Sequence, residues 1–204
     1  MNKKQKILDV ATGLFSQKGF NETPISEISK LTGAAEGTVF YHFKTKEGLF
    51  LAILKDFKDS IVEEFQRYIE EQKFDSGIRM MEDVISFYLY LSGSMEDRFL
   101  LLHRHFAYEL SRNNSQCREY LEAIYNCLID IFEKAISLGQ EDGSIDRNIH
   151  PRKTAMIIFG MVDALARFNT YNLYDAGALY DELINSCRRI LMAEKSVAGD
   201  TYVK

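Results

Sequence analysis

Apolar residues recur every three to four positions through most of this chain, and that period is expected of amphipathic α-helices. Nine segments with this period follow one another, separated by glycines, prolines or capping residues. Only two prolines, Pro24 and Pro151, occur among the 204 residues, so residues that break helices are rare. The pattern therefore predicts an all-α fold of nine helices.

The first three predicted helices are short and lie close together in the sequence. The first ends at Gly19, a residue suited to the left-handed conformation that follows many helices. Thr23 and Pro24 predict the start of the second helix, with the threonine as its N-cap. Gly33 ends that helix, and a third follows over residues 36–43. Two short helices joined by a glycine-containing turn are typical of the helix-turn-helix motif.

The later helices are longer and predict a second part of the molecule. Thr45 caps a long fourth helix that suits a connector between a head, residues 1–48, and a body, residues 49–204. Ser94 and Asp97 have the spacing of a capping box and predict the start of the sixth helix. The predicted starts of the fifth and of the seventh to ninth helices are Asp75 or Ser76, Ser115, Pro151 and Asp175. The tail after Lys195 is predicted to fray.

The bulk composition is typical of a soluble globular protein, with 46% hydrophobic and 27% charged residues. The longest apolar run, residues 155–162, is too short to cross a bilayer, and the N-terminal segment lacks the continuous apolar stretch of a secretory signal. The three cysteines are odd in number, and none forms a C-x-x-C pair, which favours reduced thiols. We therefore expect a cytoplasmic protein.

Charge is distributed unevenly along the chain. The net charge of −5 does not by itself indicate a nucleic-acid-binding protein. The first 50 residues, however, hold seven lysines against five carboxylates, whereas the remaining residues hold 18 basic and 25 acidic side chains. A slightly basic head on an acidic body is compatible with nucleic-acid binding, although uneven charge is common on other protein surfaces.

The sequence has no pattern typical of a metal site or an enzyme. His103 and His105 are two positions apart, so on one helix they point in roughly opposite directions and cannot share a zinc ion. Neither a G-x-S-x-G motif nor a glycine-rich phosphate loop occurs. A carboxylate such as Glu109 or Asp163 on a helix is more often solvated or paired than catalytic. We expect no metal, no cofactor and no enzymatic activity.

The third predicted helix, EGTVFYHF, holds many aromatic residues for so short a segment. Val39 and Phe43 are four positions apart, so they share a face that can pack inward. The remaining residues include side chains that suit phosphate and base contacts, and Gly37 would let DNA approach at a cost of about 1 kcal/mol in helix stability. Spacing alone is equally compatible with a DNA-binding surface and with a small helical core that has a polar rim.

Residues 5–54 resemble the DNA-binding domain of the TetR family of bacterial transcriptional regulators. The similar parts are A-x-x-L-F-x-x-x-G-F at residues 11–20, the glycine turn at Gly33, and G-T-V-F-Y-H-F-K-x-K-E at residues 37–47. The resemblance implies a two-domain TetR-like fold with a three-helix helix-turn-helix head and a helical ligand-binding and dimerisation body. By position, it implies DNA contacts from Thr23, Glu36, Gly37, Thr38, Phe40, Tyr41, His42 and Lys46.

The chain departs from the family pattern at three of these positions or their neighbours. Ala35 stands where a serine or threonine cap is common, Glu36 where a basic residue or glutamine is frequent, and Phe40 where tyrosine is common. A carboxylate at Glu36 could accept a hydrogen bond from cytosine N4 or repel phosphate, and Phe40 could contact a thymine methyl group. These departures affect the expected operator sequence rather than DNA binding itself.

For the body, the resemblance implies an effector pocket and a dimer interface. The expected pocket residues are Met81, Tyr88, Phe99, His103, Phe106, Tyr125, Phe159, Asp163 and Arg167, with Arg104 and Glu109 as further polar candidates. The expected homodimer pairs the eighth and ninth helices through Ala155, Phe159, Gly160, Ala164, Leu179, Leu183 and Cys187. For each pocket residue, an ordinary position in the core is the alternative.

These expectations describe a ligand-responsive transcriptional regulator that acts as a repressor by analogy with the family. It would bind a palindromic operator as a homodimer, and a small hydrophobic or amphipathic effector would release it. In the expected mechanism, the effector moves the fourth helix like a pendulum and changes the separation of the two heads. The alternatives are a DNA-binding regulator controlled by a protein partner or by no inducer, and a helical enzyme or ligand carrier.

Overall fold

The computed structural model describes residues 2–192, apart from the side chain of Ala176, so the predicted fraying after Lys195 lies outside the described residues. Residues 2–192 form ten α-helices and no β-strand. The helices are α1 Lys3–Gln17, α2 Ile25–Thr32, α3 Glu36–Phe43, α4 Lys46–Glu71, α5 Gly77–Ser94, α6 Glu96–Leu102, α7 His105–Ser111, α8 Ser115–Asp142, α9 Pro151–Thr170 and α10 Ala176–Leu191. The predicted all-α fold is confirmed.

Helices α1 to α3 pack around a small core that includes Ile7, Phe15 and Ile28. Gly33 ends α2 in the left-handed conformation with a φ of 69°, as the glycine turn predicts. The predicted threonine cap of α2 is wrong: Thr23 is buried, and its hydroxyl donates hydrogen bonds to backbone carbonyls at the end of α1. The carbonyl of Gly19 lies just beyond α1, and that of Leu14 already accepts from the backbone N–H of Lys18. The hydroxyl of Thr23 therefore closes the turn after α1 instead of capping α2.

The long helix α4 leads from the head into the body. Its N-cap is Thr45, as predicted, because the threonine side chain accepts a hydrogen bond from the backbone N–H of Gly48 at 2.8 Å. One side of α4 is buried from Leu49 near its start to Phe65 in its sixth turn. A single apolar stripe therefore packs against the head at one end and against α8 at the other.

The body is built around α5, α8 and α9, which pack on one another. The start of α5 lies against α8 so closely that a Cβ atom on Gly77 would stand 2.0 Å from the backbone nitrogen of Gly139. Helix α10 closes one side, where Arg188 forms an ion pair with Glu82 of α5 and the hydroxyls of Tyr180 and Ser86 lie 2.5 Å apart. The capping predictions at Pro151 and Asp175 are confirmed for α9 and α10.

The predicted sixth helix is two helices, α6 and α7, because the backbone of Arg104 is extended with φ −72° and ψ 142°. The predicted capping box is also wrong. Helix α5 continues through Ser94, whose hydroxyl donates to the carbonyl of Leu91, and the carboxylate of Asp97 accepts a hydrogen bond from Ser16 of α1. Contacts with the distant helix α1 therefore decide the structure at both ends of α6.

None of the helices between residues 2 and 192 combines the length and the apolar composition that a membrane crossing needs.

Candidate DNA-binding surface and effector site

Helix α3 presents aromatic side chains to solvent. Val39 and Phe43 are buried against the rest of the head, as their spacing predicts, whereas Phe40 and Tyr41 are 41% and 73% exposed. The other predicted contact residues of this helix are exposed or half-buried on the same short element, and they are Glu36, Gly37, Thr38 and His42. We call these six exposed or half-buried residues of α3 the α3 surface.

The start of α3 is lightly capped. Ala35 stands at the N-cap, and its methyl side chain cannot accept a hydrogen bond, while Glu36 places a carboxylate in the first turn, where the helix dipole favours negative charge. Among the described residues, no atom beyond the helix lies within 4 Å of a Cβ placed on Gly37. The head itself therefore does not require a glycine there.

The turn after α3 is tight and basic. Lys44 adopts a φ of 66° and a ψ of −49°, and a positive φ is uncommon for a residue with a side chain. Its Nζ atom lies 3.3 Å from the carbonyl oxygen of Tyr41 and 5.8 Å from the centre of that ring. This turn brings a lysine beside the most exposed aromatic residue of the α3 surface.

Two predicted DNA-contact residues, Thr23 and Lys46, are not part of the α3 surface. Thr23 is in the interior of the head, with its hydroxyl bonded to the carbonyl oxygen of Gly19, so it does not join the α3 surface, and a DNA contact from this residue stays a prediction. Lys46 is half-buried, and its Nζ atom lies 4.4 Å from the centre of the Phe20 ring, over the aromatic core of the head. Burial lowers the pKa of Lys46, while the charge of Glu22 opposes that change.

In the body, Asp163 of α9 is the centre of a buried polar cluster. Its Oδ1 atom accepts a hydrogen bond from the hydroxyl of Tyr88 at 2.7 Å and lies 3.0 Å from Nε2 of His103. Its Oδ2 atom accepts a hydrogen bond from the guanidinium of Arg167 at 2.9 Å. We call these four residues the Asp163 cluster. Because a carboxylate only accepts hydrogen bonds, Nε2 of His103 carries a proton in this arrangement.

The electrostatics of the cluster favour an ionised Asp163. Burial opposes ionisation, but the hydrogen bond and charge of His103, together with the hydrogen bonds from Tyr88 and Arg167, hold the pKa of Asp163 below its ordinary value. Burial, followed by the nearby charge of Asp163, raises the pKa of Tyr88 well above its ordinary value. The cluster thus pairs a buried carboxylate with the hydroxyl of Tyr88 and the guanidinium of Arg167, whose pKa values are both raised.

One atom of the cluster is left without a partner. The side chain of His103 is fully buried, and within residues 2–192 its Nδ1 atom makes no hydrogen bond. An unpaired buried polar atom is costly, so such atoms in native proteins call for an explanation. A polar group of a bound molecule would give this nitrogen a partner.

Aromatic rings surround the cluster. The ring of Phe99 lies 5.5 Å from that of Tyr88 between centres, and the ring of Phe159 lies 6.0 Å from Tyr88 and 5.8 Å from Tyr125. The Tyr125 hydroxyl lies 2.5 Å from that of Tyr108, a residue the sequence analysis missed. The two tyrosines occupy different helices, α7 and α8, so no local spacing could have paired them.

Four candidate pocket residues lie outside this arrangement. Phe106 stacks on Phe20 of the head, with ring centres 3.8 Å apart. Arg104 donates hydrogen bonds to carbonyls of α1, and Glu109 is exposed. Met81 is buried on α5, two helical turns before Tyr88. Phe106, Arg104 and Glu109 therefore lie outside the Asp163 cluster, and a place for them in an effector pocket stays a prediction.

Two open cavities lie elsewhere on the molecule. A polar cleft of about 590 Å³ separates α1 from the turn between α5 and α6, and its lining includes Asp9, Glu96 and Asp97. A more apolar groove of about 530 Å³ runs between α4 and α8, with Phe65 and Cys127 in its lining. No group of three or more histidine, cysteine or acidic side chains within residues 2–192 is placed to hold a metal ion.

The predicted dimer residues divide between the interior and the surface. Ala155, Phe159 and Cys187 are buried within the protomer, so their prediction as interface residues is wrong. Gly160 and Leu179 are exposed, whereas the remaining two, Ala164 and Leu183, are half-buried. Ala155 and Phe159 have the helical phase that faces the body core, while the outward phase of α9 also carries exposed and half-buried residues that were not predicted, namely Ile157, Met161 and Phe168.

The described geometry is that of a known family. The family model for bacterial regulatory proteins of the tetR family matches residues 7–53, which span α1, α2, α3 and the first turns of α4. The transcriptional regulator QacR of Staphylococcus aureus is 36% identical over 147 residues, which cover 70% of this chain and 73% of that protein. The fatty acid metabolism regulator protein of Bacillus subtilis is 24% identical over 161 residues, covering 79% and 80% of the two chains.

The fold is shared with solved structures. The crystal structure of the regulator FadR from Bacillus subtilis in complex with stearoyl-CoA superposes with a TM-score of 0.73 at 22% identity, covering 92% of this chain and 98% of that one. The fold, the helix-turn-helix head and the extended identity with QacR agree with one another. This chain belongs to the TetR family of bacterial transcriptional regulators.

Proposed function

We propose that this regulator is a ligand-responsive repressor that binds a palindromic operator as a homodimer and is released by a small hydrophobic or amphipathic effector. The observation that carries the DNA-binding part is the α3 surface, where Phe40 and Tyr41 are exposed although Val39 and Phe43 anchor the same helix. Large aromatic side chains exposed together on a short helix mark a contact surface.

The chemistry of the α3 surface suits the major groove. Tyr41 and His42 can donate hydrogen bonds to phosphates, and the ring of Phe40 can pack against a thymine methyl group. Glu36 can accept a hydrogen bond from cytosine N4. In this proposal, residues 1–48 form the DNA-binding domain, and residues 49–204 form the ligand-binding and dimerisation domain.

The proposed homodimer forms through the outward faces of α9 and α10. Ile157, Leu179 and Gly160 are exposed there, and a groove of about 230 Å³ between the helices is lined mainly by apolar side chains. A two-fold axis would bury these faces against each other and place two recognition helices on the two halves of a palindrome. Two heads would also double the phosphate contacts of one weakly basic head.

The proposed effector site is the Asp163 cluster with its surrounding aromatic rings. Buried aromatic side chains with a few convergent polar groups are typical of ligand pockets. The unpartnered Nδ1 atom of His103 and the half-exposed guanidinium of Arg167 would orient a polar group of the effector, while Phe99 and Phe159 would contact its apolar part. The similar regulator FadR holds stearoyl-CoA in its solved structure, which supports an amphipathic effector for this chain.

A second candidate is a DNA-binding regulator that a protein partner controls, or that acts without an inducer. The observation in its favour is that both carboxylate oxygens of Asp163 already have hydrogen-bonding partners from the chain itself. A cluster satisfied in this way can serve as a structural core.

Selection of bound duplexes from random DNA tests the proposal first. The expected result is a palindromic site that the protein binds with an affinity that falls steeply as salt concentration rises. An affinity independent of salt would contradict DNA binding through the heads. Soaking or co-crystallisation with long-chain acyl compounds then separates the two candidates, because only the first predicts density beside His103 and release from the selected duplex.

A further inference from the structure

Arg167 forms the exposed edge of the Asp163 cluster. Its side chain is 49% exposed, whereas those of Asp163 and His103 are 8% and 0% exposed. Within residues 2–192, the hydrogen bond to Oδ2 of Asp163 is the only one that this guanidinium makes. A guanidinium carries five N–H donors, so most of them remain available to a group that arrives from solvent.

Two tyrosine hydroxyls lie beside this guanidinium. The hydroxyl oxygens of Tyr108 on α7 and Tyr125 on α8 are 2.5 Å apart, so one hydroxyl donates to the other and the second keeps a free proton. Burial lowers the pKa of Arg167, but Asp163 and then the two nearby tyrosines raise it overall. Hydrogen-bond donors from α7, α8 and α9 therefore lie close together at one place on the surface of the body.

The charges at this place favour an anion over a cation. The carboxylate of Asp163 is already paired with Arg167, so a cation would have to compete with the guanidinium for it. An anion can bind the free donors of Arg167 without breaking that pair. Glu109, which follows Tyr108 in the sequence, is exposed and lies 4.0 Å from His105. Its charge is thus opposite a different side chain.

The buried end of the cluster has a different preference. Nε2 of His103 faces the carboxylate of Asp163 and carries a proton, so the Nδ1 atom of the neutral ring can only accept a hydrogen bond. An accepting nitrogen does not stabilise a carboxylate. The negative group of a ligand is therefore expected at Arg167, and a hydroxyl or another donor of the ligand would suit His103.

Aromatic rings lie behind the donors. The ring centre of Phe159 is 5.8 Å from that of Tyr125 and 6.4 Å from that of Phe132. Both phenylalanines are buried, whereas the guanidinium of Arg167 reaches solvent. A ligand with its negative group on Arg167 would direct its apolar part toward these rings.

We propose that the effector is an apolar carboxylic acid whose carboxylate binds the guanidinium of Arg167 and the hydroxyls of Tyr108 and Tyr125. We call these three residues the anion site. Arg167 is the only arginine or lysine among them and the Asp163 cluster, so the charges match one carboxylate better than the three phosphates of a coenzyme A thioester. The inference rests on the proposed function, in which the Asp163 cluster is the effector site.

Release of the full-length protein from its selected duplex by a matched series of probes tests this assignment. Decanoate, decanamide and decyltrimethylammonium have similar apolar chains and differ in the charge of the head, and decanoyl-CoA carries the chain as a thioester. A second series with a phenylhexyl body makes the result independent of one chain. We expect each acid to act at a concentration at least tenfold below those of the other probes with the same body.

Two results of this series would overturn the proposal. One is an amide, ammonium or thioester probe that releases the duplex at the concentration of the matched acid. The other is a failure of both acids to release the duplex. Calorimetric titration of the same probes into the free protein repeats the comparison without DNA, and the same order of affinities is expected there.

Arg167→Gln tests the source of the preference. Its amide can still donate to Asp163, but the positive charge is lost, so the ratio of the ammonium Kd to the acid Kd should fall at least tenfold. A ratio within one variant cancels any general damage to the fold. Arg67→Gln is the matched control, because it removes the same charge from an exposed arginine of α4 that pairs with Glu64. An unchanged ratio in Arg167→Gln would contradict the anion site.

Tyr125→Phe tests the part played by the hydroxyls. The loss of one hydrogen bond to a carboxylate should raise the Kd for decanoate about threefold to tenfold. Tyr120→Phe on the same helix removes a hydroxyl that accepts a hydrogen bond from Gln116, and it should leave this Kd unchanged. Equal effects of the two substitutions would remove the hydroxyls from the proposed site.

Failure of the inference is distinguishable from failure of the proposed function. If the unsubstituted protein binds no duplex from the selection, the proposed operator-binding function fails. If a neutral or cationic probe releases the duplex and gives density beside His103, the effector site stands and only its assignment to an acid fails.

Discussion

At the residue scale, helix α3 separates two roles within eight residues. Val39 and Phe43 hold the helix on the head, and the remaining side chains are left for contact with DNA. Glu36 is the unusual member, because a carboxylate lies on a surface that is expected to meet phosphates. Its role depends on whether its removal changes the preference at one base pair or the affinity for all sequences.

We expect Glu36→Ala to relax the preference of the protein at a single base pair of each half-site. The loss of a carboxylate that accepts from cytosine N4 is worth about 1–3 kcal/mol of discrimination at that position. Repeating the selection of bound duplexes with this variant measures the effect. A uniform gain in affinity for all sequences would show instead that Glu36 only repels the DNA backbone.

We expect Gly37→Ala to weaken operator binding by about tenfold, equivalent to about 1.4 kcal/mol. The added methyl group meets no described atom of the protein beyond its own helix, so the free head has room for it. Alanine also favours the helix by up to about 1 kcal/mol over glycine. Operator titration and urea unfolding of the variant measure the two effects separately.

Gly93→Ala serves as the control for this substitution. A Cβ at Gly93 likewise meets no described atom within 4 Å outside its helix, but the residue lies on α5, away from the α3 surface. It should keep its operator affinity while gaining similar stability. Unchanged operator affinity in Gly37→Ala would mean that DNA does not approach α3 at this residue.

We expect Asp163→Asn to lower the free energy of unfolding by about 1–3 kcal/mol at neutral pH, because charge-assisted hydrogen bonds are lost. The pKa of Asp163 in the folded protein is lowered, so its contribution is complete above the unfolded pKa of about 3.9 and disappears as pH falls through the lower folded pKa. Urea unfolding from pH 7 to pH 3 should therefore show the two proteins converging at the acid end.

Asp59→Asn is a suitable control for the pH experiment. Asp59 is an exposed carboxylate of α4 whose pKa is lowered by its hydrogen bonds with Lys55 and Lys58. Exposed ion pairs contribute little to stability, so this variant should unfold nearly as the unsubstituted protein does at every pH. A difference between Asp163→Asn and the unsubstituted protein that stays constant with pH would contradict an ionised Asp163.

At the scale of helices, sequence periodicity locates the elements, but long-range contacts decide some of their ends. The glycine, proline and threonine signals at Gly33, Pro151 and Thr45 act locally, and the structure has them as predicted. Thr23 and Arg104 instead bond the end of α1, and the second of these contacts joins residues 88 positions apart. A local pattern cannot contain such a partner, and so the break between α6 and α7 was not predicted.

Local spacing likewise predicts one part of the candidate site and not the other. The inward and outward faces of α3 follow from helical phase alone, and the structure has both as predicted. The Asp163 cluster joins Tyr88 and Asp163 across 75 positions, so its residues were named from family resemblance and not from spacing. Aromatic periodicity likewise does not distinguish a ring that faces the body from one that stacks on the head, as Phe106 does on Phe20.

We expect Gly77→Ala to destabilise the packing of α5 on α8 by about 3 kcal/mol, at the upper end of the usual cost of overpacking. A Cβ on Gly77 would stand 2.0 Å from the backbone nitrogen of Gly139 and 2.4 Å from the carbonyl oxygen of Ala135, and neither can move without shifting α8. Urea unfolding at one fixed protein concentration measures the loss.

Gly93→Ala is again the control, because it lies on the same helix without a close neighbour among the described residues. The two variants add the same methyl group to α5, and only Gly77→Ala should lower the unfolding midpoint. Equal midpoints would mean that α5 and α8 separate at little cost, which contradicts the close packing.

At the scale of the whole molecule, charge and apolar surface are arranged for assembly. The slightly basic head and the acidic body place opposite charge at the two ends of α4. The outward apolar residues of α9 and α10 lie on the body, so a dimer formed there leaves both heads available. The proposed operator affinity then depends on two heads held together.

We expect Ile157→Glu to convert the protein to a monomer that remains folded and binds the palindrome at least about a hundredfold more weakly. Ile157 is 60% exposed in the protomer, so a carboxylate is tolerated there, but burying it between two copies costs several kcal/mol. Loss of one head also removes half of the phosphate contacts, so the dependence of affinity on salt should become about half as steep. Sedimentation equilibrium and titration at several salt concentrations measure both effects.

Tyr90→Glu is the control for Ile157→Glu. Tyr90 is 67% exposed on α5, outside the faces of α9 and α10, so the same new charge should leave both assembly and operator affinity unchanged. A monomeric Tyr90→Glu variant would move the interface to α5. In the proposed assembly, Ile157→Glu weakens operator binding only by dissociating the dimer. An Ile157→Glu variant that stays dimeric but binds operator weakly would therefore contradict the proposed interface, and would show that the outward face of α9 affects the heads in another way.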